Sequence, residues 1–253
     1  MLDDIGVELL RDFFYEGKER FHWSYWHYCN HYKYLKKFLG WCVENGYSKV
    51  NPMDKIRKPK KPQSLPRRLT HQQAQSILYT SFNYRWRYKF ERPRNHAIIA
   101  TLLYTGLRAR ELINLQMVDV NLGADVILVR SGKGNKDRYV PVHSKLSYIL
   151  KQYLIERMAT GKMSPYFFTS ALRDEPLCYQ ALGKICRRIS GATGVKFTPH
   201  CLRHTFGSVA IEQDMGLVQL KEIMGHSNIS STMIYLKMSP AGLKTSLNRL
   251  DLF

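Results

Sequence analysis

The 253-residue chain has no disulfide framework, no membrane-length apolar run and none of the usual loops that hold nucleotides or metals. Its five cysteines, Cys29, Cys42, Cys178, Cys186 and Cys201, are odd in number and contain no C-x-x-C pair. Such a set builds neither a secreted disulfide scaffold nor a structural zinc site, and the thiols read as small buried hydrophobes in a reducing cytosol. The start, MLDDIGVELL, is acidic where a signal peptide is basic, so a cytoplasmic location with no membrane partner is expected. His22, His27, Cys29 and His31 crowd together without regular ligand spacing and read as aromatic packing. Any chemistry is therefore expected to come from side chains alone, with no cofactor and no metal.

Acidic residues are also scarce. Twenty Asp and Glu stand against 39 Lys and Arg, a formal charge of +19. That excess calls for a polyanionic partner, most simply nucleic acid. The basic residues are interleaved with a periodic sequence that is 44% apolar, which describes a folded protein with a basic surface rather than a basic tail.

The length suits a small domain joined to a larger one. Asp3 or Asp4 can cap a first helix with Ile5, Leu9, Leu10, Phe13 and Phe14 on one side, ending near Gly17. Ser24 can cap a second, running to Glu44, with Tyr28, Tyr32, Leu35, Phe38, Leu39 and Cys42 as its apolar stripe. Asn51 to Arg68 contains four prolines and seven Lys or Arg, the composition of an extended, solvated linker. We place a short helical domain at 1–57, a basic proline-rich linker at 58–69 and a larger domain at 70–253.

In the larger part, Thr70 and Gln73 form a capping-box start, with Ala74, Ile77 and Leu78 inward. Asn83 to Arg94, basic and aromatic by turns, reads as a DNA-facing loop or an ordinary solvated one. His96 to Thr105 is almost wholly apolar and belongs at the centre of the core, with Gly106 as its stop. Arg108 and Glu111 lie one turn apart, so the carboxylate can hold the guanidinium in place. Asp125–Arg130 and Arg138–Val142 alternate around SGKGNKD and predict a β-hairpin. Ser144 to about Ala159, and a later helix with Leu182, Ile185, Cys186 and Ile189 inward, complete a fold expected to be mainly α with a small antiparallel β-sheet.

The densest chemistry lies between Thr198 and Lys237. Thr198 followed by Pro199 is a helix start, so His200 and Arg203 share a face of the first turn, where the helix dipole favours an anion. A second helix through Leu217, Leu220 and Ile223 stops at Gly225 and leaves His226 at its exit. A third helix carries Tyr235, nine residues after His226.

H-x-x-R, then G-H, then the tyrosine, preceded by T-G-L-R-x-x-E at Thr105–Glu111, resembles the signature of the tyrosine recombinases, the lambda integrase, Xer and Cre family. The resemblance covers Thr70 to the end well and Ser24 to Pro52 loosely. It implies a helical, SAM-like core-binding domain, shortened here by loss or truncation, followed by a catalytic domain. It identifies Arg108, Lys133, His200, Arg203, His226 and Tyr235 as catalytic, Lys133 by its match to the family's hairpin lysine, with Lys136 as the rival. It implies site-specific cutting and rejoining of double-stranded DNA through a 3′-phosphotyrosine. A homotetramer is expected, formed by exchange of a C-terminal helix at Ala241–Leu250, with any accessory protein unidentified. The alternatives are a catalytically silent architectural or regulatory DNA-binding protein of the same fold and a type IB topoisomerase-like enzyme.

Overall fold

Residues 5–60, 67–130 and 137–238 are described by the computed structural model, in which the chain divides into two units, Met1–Ser64 and Leu65–Phe253. Lys133, Lys136, the Asp3 or Asp4 cap and the helix expected at Ala241–Leu250 lie outside the described residues.

The first unit holds α1 (Val7–Glu19) and α2 (Tyr25–Glu44). Ser24 caps α2 through Oγ, which accepts from the His27 amide at 3.2 Å. α1 ends at Glu19, two residues past Gly17. A Cβ there would come within 2.3 Å of the Trp23 ring, so the glycine is the seat on which that indole closes. His27 and His31 stack on the same indole, with ring centroids 5.2 and 4.2 Å away. Two expectations need correcting. Phe38, read as part of the apolar stripe, is 50% exposed, because Leu35 and Leu39 already meet α1's core face. The segment from Asn51 is not a solvated linker at its start. Pro52–Lys55 forms a 3₁₀ turn, capped by the Asn51 side chain, that buries Met53 and Ile56 against Leu10, Phe14 and Leu39.

The second unit is mainly helical with one small sheet. Its elements are α3 (His71–Asn83), α4 (Glu91–Thr105), α5 (Ala109–Asn114), β1 (Val120–Asn121), β2 (Val126–Val129), β3 (Arg138–Pro141), α6 (Ser144–Ala159), α7 (Tyr179–Thr193), α8 (Pro199–Glu212), α9 (Leu217–Met224) and α10 (Ser230–Met238). The strands are antiparallel in the order β1-β2-β3, with Val129 opposite Arg138. The two-residue β1 carries no alternation long enough to be legible in sequence.

The hydrophobic effect explains the centre. Ala97, Ile98, Ile99, Ala100 and Leu102 of α4 are wholly buried, and α4 packs on α3, α6 and α8. Gly106, at φ +63°, ends α4 in the left-handed conformation that glycine tolerates best. Thr70 and Gln73 make the expected capping box on α3. Leu69, at the end of the basic stretch, is buried, and its amide donates to Thr205 Oγ1 of α8 at 3.0 Å.

The stretch Asn83–Arg94 is only partly a loop. Its last residues form the first turn of α4, where Glu91 and Arg94 are buried and paired, and Arg94 donates to Asn95 Oδ1 and the Thr169 carbonyl. Arg94 is thus a structural cation and not part of a surface that meets a ligand. Among the described residues, no helix is long and apolar enough to cross a membrane.

Candidate active site

The end of α9 organises the site. Its last carbonyls lack partners within the helix and carry the negative end of the helix dipole, so they attract cations. Three guanidiniums take three consecutive carbonyls there. Arg138 Nε donates to Ile223 O at 2.8 Å, Arg203 Nη2 to Met224 O at 2.7 Å and Arg108 Nη2 to Gly225 O at 2.7 Å. Gly225, at φ +63°, makes this possible, because a Cβ there would stand 2.8 Å from the Arg138 guanidinium carbon.

A second helix end joins them. Arg203 Nη1 donates to the Gly106 carbonyl at the exit of α4, at 2.6 Å. One arginine of α8 therefore ties together the C-termini of α4 and α9. Its side chain is almost wholly buried, and burial first, then the neighbouring Arg108 charge, lowers its pKa to about 10. It remains a cation at neutral pH.

Among the described residues, Glu111 is the carboxylate that pairs with these guanidiniums. It accepts from Arg108 Nη1 and the Arg108 amide at 2.7 and 2.8 Å, and from both Nη atoms of Arg138 at 3.0 and 2.8 Å. Burial pushes its pKa up, but the bonds from Arg138 and from the Arg108 amide outweigh burial and hold it at about 2. Three guanidiniums against one carboxylate leave two positive charges, enough to receive an anion and to stabilise added negative charge on it.

Beside the arginines stand three histidines and the tyrosine. Thr198 caps α8 through Oγ1, accepting from the Cys201 amide at 3.2 Å, and this sets His200 in the first turn. His200 Nε2 lies 3.0 Å from His204 Nε2, and His204 Nδ1 lies 3.2 Å from Tyr235 Oη. His226, on the turn after α9, places Nδ1 2.8 Å from Thr232 Oγ1 and stacks on the Tyr235 ring, at 6.3 Å and 7°. Burial, then Arg203 and Arg108, lowers the pKa of His226 to about 4. Burial, then His200 and Arg203, does the same to His204, again to about 4. His200 is lowered by the same kinds of cause. All three imidazoles are neutral at pH 7 and can accept or donate protons. Tyr235 is 1% exposed, and burial raises its pKa although Arg203 and Arg108 pull it down.

Five of the six residues singled out in the sequence thus fall in one network: Arg108, Arg203 and His226 at the end of α9, and Tyr235 and His200 linked through His204. The sixth, Lys133, lies outside the described residues. Two members escaped the sequence reading. Arg138 shares the strand parity of buried Val140, which marks it as inward-facing. His204 stands four residues after His200, one helical turn along the same face.

The arrangement joins a cationic anion site to a tyrosine hydroxyl in contact with imidazole, a constellation able to run nucleophilic phosphoryl transfer. Residues 67–241 match the model of the phage integrase family. The tyrosine recombinase XerA of Pyrococcus furiosus is 32% identical over 201 residues, spanning 79% of this chain and 67% of the relative. A crystal structure of XerA recombinase superposes with a TM-score of 0.65 at 26% identity, covering 98% of this chain and 85% of that one. XerH site-specific recombinase bound to palindromic difH substrate gives a TM-score of 0.80 at 22% identity, covering 98% and 73%, a likeness of fold. The chain belongs to the phage integrase family, and its enzyme class is tyrosine recombinase. It spans about two thirds of the length of the curated XerA relatives of Pyrococcus that it matches.

Proposed function

We propose that the chain cuts and rejoins double-stranded DNA at specific sites, with Tyr235 as the nucleophile. The observation that carries this reading is the placement of the Tyr235 hydroxyl against His204, in the same cluster as Arg203 and Arg108. A phenol attacks a phosphodiester only if its proton leaves and the charge of the five-coordinate phosphate is offset. Arg108 and Arg203 present paired N–H donors to the non-bridging oxygens, a geometry lysine lacks. Arg138 and Glu111 hold Arg108 in register from behind. His200 handles the tyrosine proton or donates to an oxygen, and His226 adds a hydrogen bond to the phosphate. Lys133 protonates the departing 5′ oxygen. The products are a 3′-phosphotyrosine and a free 5′ hydroxyl, and the retained phosphoester lets the strand be rejoined without a nucleotide.

The unit at the N-terminal end closes on the duplex, and four subunits assemble on DNA by exchanging the segment at Ala241–Leu250. Exchange between two duplexes carrying different labels tests this function. Recombinant products are expected. Supercoil relaxation without exchanged products would mean a type IB topoisomerase, and binding with neither would mean an architectural protein.

A further inference from the structure

The network contains a residue that the six-residue assignment leaves without a role. His204 Nδ1 meets Tyr235 Oη at 3.2 Å, and its other nitrogen meets His200 Nε2 at 3.0 Å. His200 is exposed in the first turn of α8, whereas His204 lies one turn deeper, between it and the buried tyrosine. Each neutral imidazole has one N–H and one lone pair, so a single consistent orientation carries protons outward. Tyr235 O–H donates to His204 Nδ1, His204 Nε2–H donates to His200 Nε2, and His200 keeps its proton on Nδ1.

We propose that His204 is the immediate proton acceptor of Tyr235 and that His200 acts through it, as the outer member of a two-imidazole relay. The proposal rests on Tyr235 as nucleophile. As the Oη–P bond forms and the P–O5′ bond breaks, the phenol O–H bond breaks and its proton passes to His204 Nδ1. The proton on His204 Nε2 moves to His200 Nε2. The electron pair of the broken P–O5′ bond leaves with the 5′ oxygen, which takes its proton from the acid assigned to Lys133. His204 ends neutral in its other tautomer, and the new positive charge rests on His200 at the exposed rim. Rejoining runs the same transfers backwards.

The relay explains why two histidines stand in line on α8. An imidazolium at His204 would sit in a desolvated position between His200 and Arg203, where burial first, then those two neighbours, oppose it. Passing the charge outward relieves that cost. His226 occupies a different position, stacked on the tyrosine ring with Thr232 on its Nδ1, and takes no part in the transfer.

The test measures the rate of covalent adduct formation by the full chain on a nicked duplex, drawn from a randomised pool by selection on the wild-type protein. His204→Asn keeps a hydrogen-bonding group near Nδ1 but cannot relay a proton, so it is expected to fold and bind the duplex as wild type does, yet form adduct about a hundredfold or more slowly, in the range of lost general-base catalysis. His204→Ala is expected to regain part of its rate with added imidazole. His200→Ala combined with His204→Ala is expected to be no slower than the slower single variant, because members of one relay act as a unit. An Asn variant within threefold of wild type, an Ala variant that imidazole leaves unchanged, or single losses that multiply in the double variant would each overturn the relay. Tyr235→Phe runs beside them. Adduct formation by that variant would remove the nucleophile assignment itself, whereas a silent Phe variant with a fully active Asn variant would remove only the relay.

Discussion

The ring of Tyr235 lies against the bare backbone of Gly207, so closely that a Cβ on the glycine would stand 2.6 Å from the phenol's Cζ. A glycine inside α8 costs helix stability, and here it makes the seat that sets the hydroxyl beside His204. Gly207→Ala is therefore expected to lose about 1–3 kcal/mol by overpacking and to slow adduct formation, because the ring can no longer hold its position. Gly191→Ala in α7, where the added methyl meets open space, is the control and should leave both unchanged or raise stability slightly. Thermal melts and adduct rates of the two variants check this. A Gly207→Ala protein with wild-type values in both would show that the seat is not used.

Glu111 is expected to make stability depend on pH. Its folded-state pKa of about 2 lies below its ordinary value of 4.5, so its contribution is complete above about 4.5 and is lost as pH falls towards 2. The difference amounts to about 3 kcal/mol. Glu111→Gln leaves Arg138 and Arg108 without their carboxylate, and its deficit against wild type should be large at neutral pH and shrink in acid. Denaturant midpoints of both proteins from about pH 2 to about pH 7, which brackets both pKa values, would show this. A deficit constant across the range would mean that Glu111 acts by packing alone.

Arg203 bridges two helix ends with one planar fork, which a lysine ammonium cannot reproduce. Arg203→Lys should lower the melting temperature as well as cleavage, because α4 and α9 lose their common tie. Arg108→Lys should mainly lower cleavage, since Glu111 retains Arg138 as a partner. Duplex affinity should change little in either, because these bonds tighten as charge develops in the transition state. Equal losses of binding and cleavage would make the arginines anchors only.

With a charge of +19, duplex affinity should fall log-linearly with salt by counterion release. If six or more phosphates are neutralised, about a thousandfold or more is lost between about 50 and about 200 mM salt. A flat salt dependence would contradict a surface that tracks phosphates.

Much of this was legible in the sequence because it was local. The capping box at Thr70, the glycine stops at Gly106 and Gly225, the apolar α4 and the face shared by His200 and Arg203 each depend on a few neighbouring residues. What escaped depends on tertiary contacts. Arg138 becomes part of the site only when β3 meets the end of α9, and His204 gains its meaning only when α10 brings Tyr235 over α8. Arg94 misled for the complementary reason: a run of alternating basic and aromatic residues looks the same whether a given arginine faces solvent or pairs with a buried glutamate. Met53 and Ile56 were hidden in a proline-rich, basic stretch whose composition outweighed two apolar residues.

The central claim is that Tyr235 is the residue that becomes joined to DNA. Trapping the full chain on a nicked duplex whose released 5′ end diffuses away, digesting the adduct and sequencing the nucleotide-bearing peptide by mass spectrometry tests it most directly. The account predicts a single modified peptide spanning Tyr235, linked to a DNA 3′ phosphate and missing from the Tyr235→Phe protein. An adduct on another residue, a link through a 5′ phosphate, or a wild-type protein that binds the duplex and forms no adduct would contradict it.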